Sequence, residues 1–89
     1  MEIKTKNGLV YNFDEEMLGD MEIFENLVKI QKGDPTYLPE TIEALLGEDG
    51  YKQLKESCRN EKGRVPTADV VAEFGDILTL AGKKSPKKK

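Results

Sequence analysis

Few residues in this chain have any reach into chemistry. Histidine is absent, and the one cysteine, Cys58, stands beside Arg59. Without histidine the common general base is missing, and the Ser-His-Asp and Cys-His arrangements and most zinc sites are excluded with it. A thiol next to a cation can be activated. Cys58 also continues the apolar series Tyr51, Leu54, Cys58 at steps of three and four, which reads it as a small core residue. Acidic residues number 17, yet none stands in a catalytic pair, and they read as helix caps and solvated faces. No P-loop and no glycine-rich dinucleotide fingerprint occurs. The residues therefore point to no enzyme and to no metal or cofactor.

Two further stretches carry a trace of binding chemistry. With Gly63 set on the glycine of a calcium-binding loop, Cys58 falls first, Asn60 third, Lys62 fifth and Asp69 twelfth. A calcium loop needs carboxylates early and a bidentate glutamate last, so cysteine and lysine defeat it and a tight glycine turn remains. The other stretch is basic: five lysines lie between Lys83 and Lys89 with no acid among them. That run has no aromatic residue to stack on bases, and it reads as a solvated, disordered tail. Up to Gly82 the chain carries 9 basic against 17 acidic residues, a net charge of −8. A body so acidic disfavours nucleic acid on the folded part.

With enzyme chemistry set aside, the apolar spacing of the longest helical stretch becomes the candidate site. A helix is predicted over about 15–32. Asp14 supplies an N-cap, Glu15 and Glu16 fill the first turn, and Phe13 and Leu18 hold the spacing of a hydrophobic staple. Lys29 and Lys32 stand near the other end, Gly33 can close it, and Asp34-Pro35 forbids continuation. Inside it Met17, Met21, Phe24 and Val28 share one face, while Ile23, Leu27 and Ile30 share another, roughly a third of a turn away. Together the stripes cover about half the cylinder, more than one core contact needs. Either both serve the core of a small domain, or one is left for a partner. The candidate partner-binding residues are accordingly Met17, Met21, Ile23, Phe24, Leu27 and Ile30.

The remaining elements must position that helix. Residues 1–13 read as a β-hairpin around Asn7-Gly8. A three-residue loop, Lys6-Asn7-Gly8, pairs Thr5 with Leu9, Ile3 with Tyr11 and Met1 with Phe13. That register sets Met1, Ile3, Leu9, Tyr11 and Phe13 on one face, and register follows the buried face. Further helices are expected over about 39–46, ended by Gly47, over 49–60, and over 68–81, ended by Gly82. In the last, Val70, Val71, Phe74, Ile77, Leu78 and Ala81 share a wide face, and Gly75 inside it suggests a close neighbour. The expected fold is α+β and mostly α, a single domain over 1–82 with the hairpin on a bundle of about four helices. No apolar run approaches the ~18 residues of a membrane span. Met1 to Lys6 shows no secretion-signal core, and a lone cysteine suits a reducing interior.

The second half also carries a resemblance. Leu45-Leu46-Gly47-Glu48-Asp49-Gly50-Tyr51-Lys52-Gln53-Leu54, then Gly63-Arg64-Val65, then Val70-Val71-Ala72-Glu73-Phe74-Gly75-Asp76-Ile77-Leu78 and a lysine-containing tail, resemble small tail assembly chaperones of long-tailed phages and prophages of Gram-positive bacteria. The hairpin and capped acidic helix fit the same family. The resemblance implies a non-enzymatic protein that coats the long, helical tape measure protein before the tail tube forms around it. It implies self-association, a place in the host cytoplasm and absence from the mature virion. It also implies a longer form made by frameshifting, with which Lys87-Lys88-Lys89 is compatible. A small nucleic-acid-associated regulator using the basic tail is the alternative, and a structural component retained in the particle is a third.

Overall fold

The computed structural model describes residues 1–84. β1 (Glu2–Lys4) and β2 (Val10–Asn12) pair antiparallel with Ile3 opposite Tyr11. Thr5 N donates to the Leu9 carbonyl at 2.9 Å and Phe13 N to the Met1 carbonyl at 2.7 Å, the register of the three-residue loop. Gly8 closes the loop at φ 86°, where glycine meets no steric cost. Ile3, Thr5, Tyr11 and Phe13 are buried on one face, and Glu2, Lys4, Val10 and Asn12 are exposed on the other.

The helix expected over 15–32 is divided. Asp14 does cap a helix, its Oδ1 accepting from Glu16 N at 3.2 Å, but that helix is a 3-10 segment, Glu15–Gly19. Asp20 is extended, and its Oδ1 accepts from Glu22 N at 2.8 Å and Ile23 N at 3.3 Å to start α1, Met21–Gln31. Asp20 wins because it satisfies two of the first-turn donors rather than one. Met17 is thereby moved off the helix that carries Met21.

The two helices expected over 39–46 and 49–60 form one bent element, α2 (Leu38–Cys58). Gly47 interrupts it at φ 79° and ψ 170°, a region essentially reserved for glycine. Helix follows directly, with no linker. Asp14 N donates to the Leu45 carbonyl beside the bend at 2.8 Å, so Asp14 ties the 3-10 segment to the bend. α3 (Thr67–Lys84) runs past Gly82, because Gly82 does not take the left-handed turn that closes a helix and Ala81 is fully buried. Lys83 and Lys84 are thus helical, and 85–89 of the expected tail lie outside the described residues. The molecule is mostly helical, with an N-terminal hairpin and three α-helices rather than about four.

One core joins all of these. Ile3, Tyr11 and Phe13 enter from the hairpin, Ile23 from α1, Leu38, Ile42, Leu45, Leu46 and Leu54 from α2, and Val70, Phe74, Ile77 and Ala81 from α3. α2 touches β2, α1 and α3, and β1 rests on α3. The molecule is 19 Å thick in its thinnest direction, about two helix diameters, so its outer helices keep faces that nothing covers.

Candidate interaction surface

The chemistry-bearing residues are engaged in structure. Burial pushes the Cys58 thiol up, the Glu73 and Asp69 carboxylates add to that, and a hydrogen bond with Ser57 opposes it. Arg59, the cation that could have activated the thiol, is turned away. Its Nη2 lies 2.6 Å from Glu56 Oε2, and its Nη1 donates to the Gly63 carbonyl at 2.7 Å. That pairing holds the exposed Glu56 carboxyl below its ordinary range.

The calcium-like turn is closed by its own asparagine. Asn60 Oδ1 accepts from Lys62 N at 2.9 Å and Arg64 N at 3.0 Å, and Gly63 N donates to the Asn60 carbonyl at 3.0 Å. Among the described residues no group of three or more His, Cys, Asp or Glu could hold a metal ion. None of the described helices is long and apolar enough to cross a membrane.

The two stripes of the central helix separate cleanly. Ile23 is buried, and Leu27 and Ile30 are half-buried against the core. Met17, on the 3-10 segment, is also half-buried against the core. Met21 and Phe24 keep 63% and 54% of their surface in solvent, which is unusual for large apolar side chains in so small a core. Thus α1 turns Ile23 inward, sets Leu27 and Ile30 at the edge of the core, leaves Val28 half-buried, and points Met21 and Phe24 outward.

A trough of about 440 Å³ lies between α1 and α3. Leu27, Ile30 and Gln31 form one wall, and Val71, Phe74, Gly75 and Leu78 form the other. The apolar exposure continues onto α3, where Val71 is 40% exposed. Ala68, Ala72, Gly75, Thr79 and Gly82 are exposed there too, so this side of α3 carries no charge. In a chain with 35% charged residues, an uncharged surface across two helices is a distinct feature.

The α3 wall was missed in the sequence. Its signal was Val71 and Leu78 at the edge of a wide apolar face, with Gly75 between them at helical spacing. Gly75 is open to the trough, and an added Cβ there meets nothing within 4 Å. Gly50 is the opposite case, because a Cβ there would lie 2.7 Å from Leu46 Cβ.

In comparisons with protein-family models, curated proteins and solved structures, nothing matches the chain. The functional reading therefore rests on the residues and their arrangement.

The charge around the apolar surface is uneven. From Asp14 to Val28 there are six carboxylates (Asp14, Glu15, Glu16, Asp20, Glu22, Glu25) and no lysine or arginine. All six are exposed, and none of them joins the ion pairs found among the described residues, Lys6–Asp76 and Glu56–Arg59. Cations begin at Lys29 and Lys32. Lys29 lies 4.4 Å from the centre of the Tyr37 ring.

Proposed function

We propose that this chain is a non-enzymatic binding protein that keeps a long, helix-rich partner soluble during assembly, as a phage tail assembly chaperone does for its tape measure protein. The observation that carries this reading is the exposed apolar pair Met21 and Phe24 on α1, and the apolar trough between α1 and α3 adds to it. Exposed apolar surface of this kind marks an interaction site. A flexible methionine at its edge suits varied partner surfaces. The acidic body keeps the free protein dispersed. The reading includes self-association, residence in the host cytoplasm and release before the particle is complete.

Affinity capture from cells expressing the native gene cluster tests it, with both protein and nucleic acid read in the eluate. The expected result is a long, helix-rich, repeat-containing protein without nucleic acid, and loss of that protein when Met21 and Phe24 are changed to aspartate. Nucleic acid that is released by salt, with no such protein, would sink the proposal and favour a regulator acting through its lysines.

A further inference from the structure

We infer that the free chain pairs with a second copy of itself through the outward face of α1, the two helices lying antiparallel across a twofold axis. This rests on the binding-protein reading above, of which self-association is a part, and gives that association a surface. The second copy covers Met21 and Phe24 until the partner takes its place.

The outward face carries both a socket and something to fill it. Phe24, Glu25, Val28, Lys29 and Lys32 line a groove of about 420 Å³. Four of these, Glu25, Val28, Lys29 and Lys32, stand at i, i+3, i+4 and i+7, the set that forms the hole for a side chain of a facing helix. The side chain free to enter such a hole is Met21, which is 63% exposed, unbranched and adaptable. It lies one turn before Glu25 and two before Val28, so knob and hole share one face of α1 at different heights. In a parallel pair only one knob finds a hole. In an antiparallel pair both do, and the axis then passes beside Phe24. The two exposed Phe24 rings meet there and add an aromatic contact.

Charge selects the same arrangement. Asp20, Glu22 and Glu25 occupy the N-terminal end of α1, and Lys29 and Lys32 the other end. All five are exposed, and none joins the ion pairs found among the described residues. Glu22 and Lys29 are two turns apart and so lie on one flank. A half-turn about the axis sets Glu22 of each copy beside Lys29 of the other. A surface that is acidic at one end, basic at the other and apolar between is its own complement under that operation. Glu25 is the exception, because it lies near the axis and meets its own counterpart.

The contact is small. α1 has 11 residues, roughly three turns, so the dimer is weak, with a dissociation constant of order 100 μM. Each copy carries a net charge of −3, and that repulsion is screened beyond about 8 Å at physiological salt.

Sedimentation equilibrium on the full chain tests the pairing, from about tenfold below to about tenfold above that constant, with circular dichroism to confirm the fold of every variant. A monomer–dimer equilibrium is expected. Met21→Asp is expected to leave only monomer. Glu22→Lys and Lys29→Glu are each expected to weaken the dimer about tenfold. The two substitutions in one chain restore it, and so does a 1:1 mixture of the two single variants, in which one chain carries cations and the other carboxylates on the contacting flank. Glu25→Gln is expected to tighten it about threefold.

A monomer at every concentration would overturn the inference. So would a dimer indifferent to Met21→Asp, charge reversals that mixing does not rescue, or weakening by Glu25→Gln. A dimer lost on Gly75→Leu and kept in Met21→Asp would also overturn it, by moving the interface to the trough between α1 and α3. If the chain pairs as expected but capture returns no helix-rich protein, the chaperone reading fails and this inference stands. If the chain captures such a protein yet stays monomeric alone, the chaperone's partner binding stands and this inference fails.

Discussion

α1 and α2 belong to one core, yet they are completed in opposite ways. α2 has no side-chain cap at Tyr37 and is bent by a glycine in its middle. It is held by its surroundings, with Ile42, Leu45 and Leu54 at 0% exposure. α1 is locally well made: Asp20 satisfies two first-turn donors, Glu22 lies in the first turn and Lys29 in the last. Its tertiary burial is thin, with Ile23 as its buried residue and Met21 and Phe24 in solvent. Most helices draw their stability from packing. A helix supported by its own caps can hold its shape while keeping an apolar face free, and that is the property a docking surface needs.

The harshest way to break this comparison is to put charge on each face of α1. Ile23→Asp with Leu27→Asp puts one carboxylate in the core, where an unpaired charge costs several kcal/mol, and a second at the core's half-buried edge. In a domain whose total stability is of order 5–15 kcal/mol, the expected outcome is a largely unfolded chain by circular dichroism. Met21→Asp with Phe24→Asp is expected to leave the helical signal and the melting temperature nearly unchanged and to abolish capture of the partner. If the second pair unfolds the protein and the first does not, the inward and outward assignments are reversed.

Gly47→Ala strikes the packed helix at its bend. A side chain at φ 79° and ψ 170° is expected to cost about 1–3 kcal/mol, read from urea denaturation. A smaller loss would mean that α2 straightens and gives up the Asp14–Leu45 backbone bond. On α1 the corresponding local device is the cap, and Asp20→Ala is expected to cost about 1 kcal/mol. Hydrogen exchange should locate that loss in the first turn of α1. Asp14→Ala should cost less, because its side chain bonds one amide and its backbone bond to Leu45 survives.

Much of this was legible in the chain, and the failures have physical causes. The hairpin register could be read because Asn7-Gly8 and the alternating face of Ile3, Tyr11 and Phe13 agree on one pairing. Element ends were harder, since two aspartates, Asp14 and Asp20, compete to start one helix. Reading Gly47 as a stop was half right, because it breaks the helical path without ending the element. Gly82 was misread as a stop, and the buried Ala81 beside it carries α3 onward. The candidate site was visible as two stripes on α1, but which one faces outward depends on where α2 and α3 pack. Val71, Gly75 and Leu78 could not be joined to it from the sequence, because they lie more than 40 residues away from Leu27 and Ile30. Only tertiary packing makes them the opposite wall.

The gentlest test asks whether the covered side is held by packing alone. Tyr11 is 1% exposed, and its Oη and Glu73 Oε2 are buried without a hydrogen-bond partner among the described residues. The nearby donors are committed elsewhere: Gln53 Nε2 donates to the Val10 carbonyl at 2.9 Å and Ser57 Oγ to the Leu54 carbonyl at 2.8 Å. Burial pushes the Tyr11 phenol above its ordinary value; Ser57 and Gln53 lie close enough to oppose this, but the geometry of both directs their donors to backbone carbonyls. Its contribution to stability is therefore whole below about pH 10, where the unfolded chain also keeps its proton. It is lost as pH rises through the higher folded value, because the unfolded phenol ionises first. Tyr11→Phe removes the orphan hydroxyl, so the expected change at pH 7 lies between neutral and a gain of about 1 kcal/mol. The difference between variant and parent should widen in the variant's favour above about pH 10. A loss of stability at pH 7 would instead mean that the hydroxyl is satisfied in solution, and that a polar contact as well as apolar packing fastens the hairpin to α2.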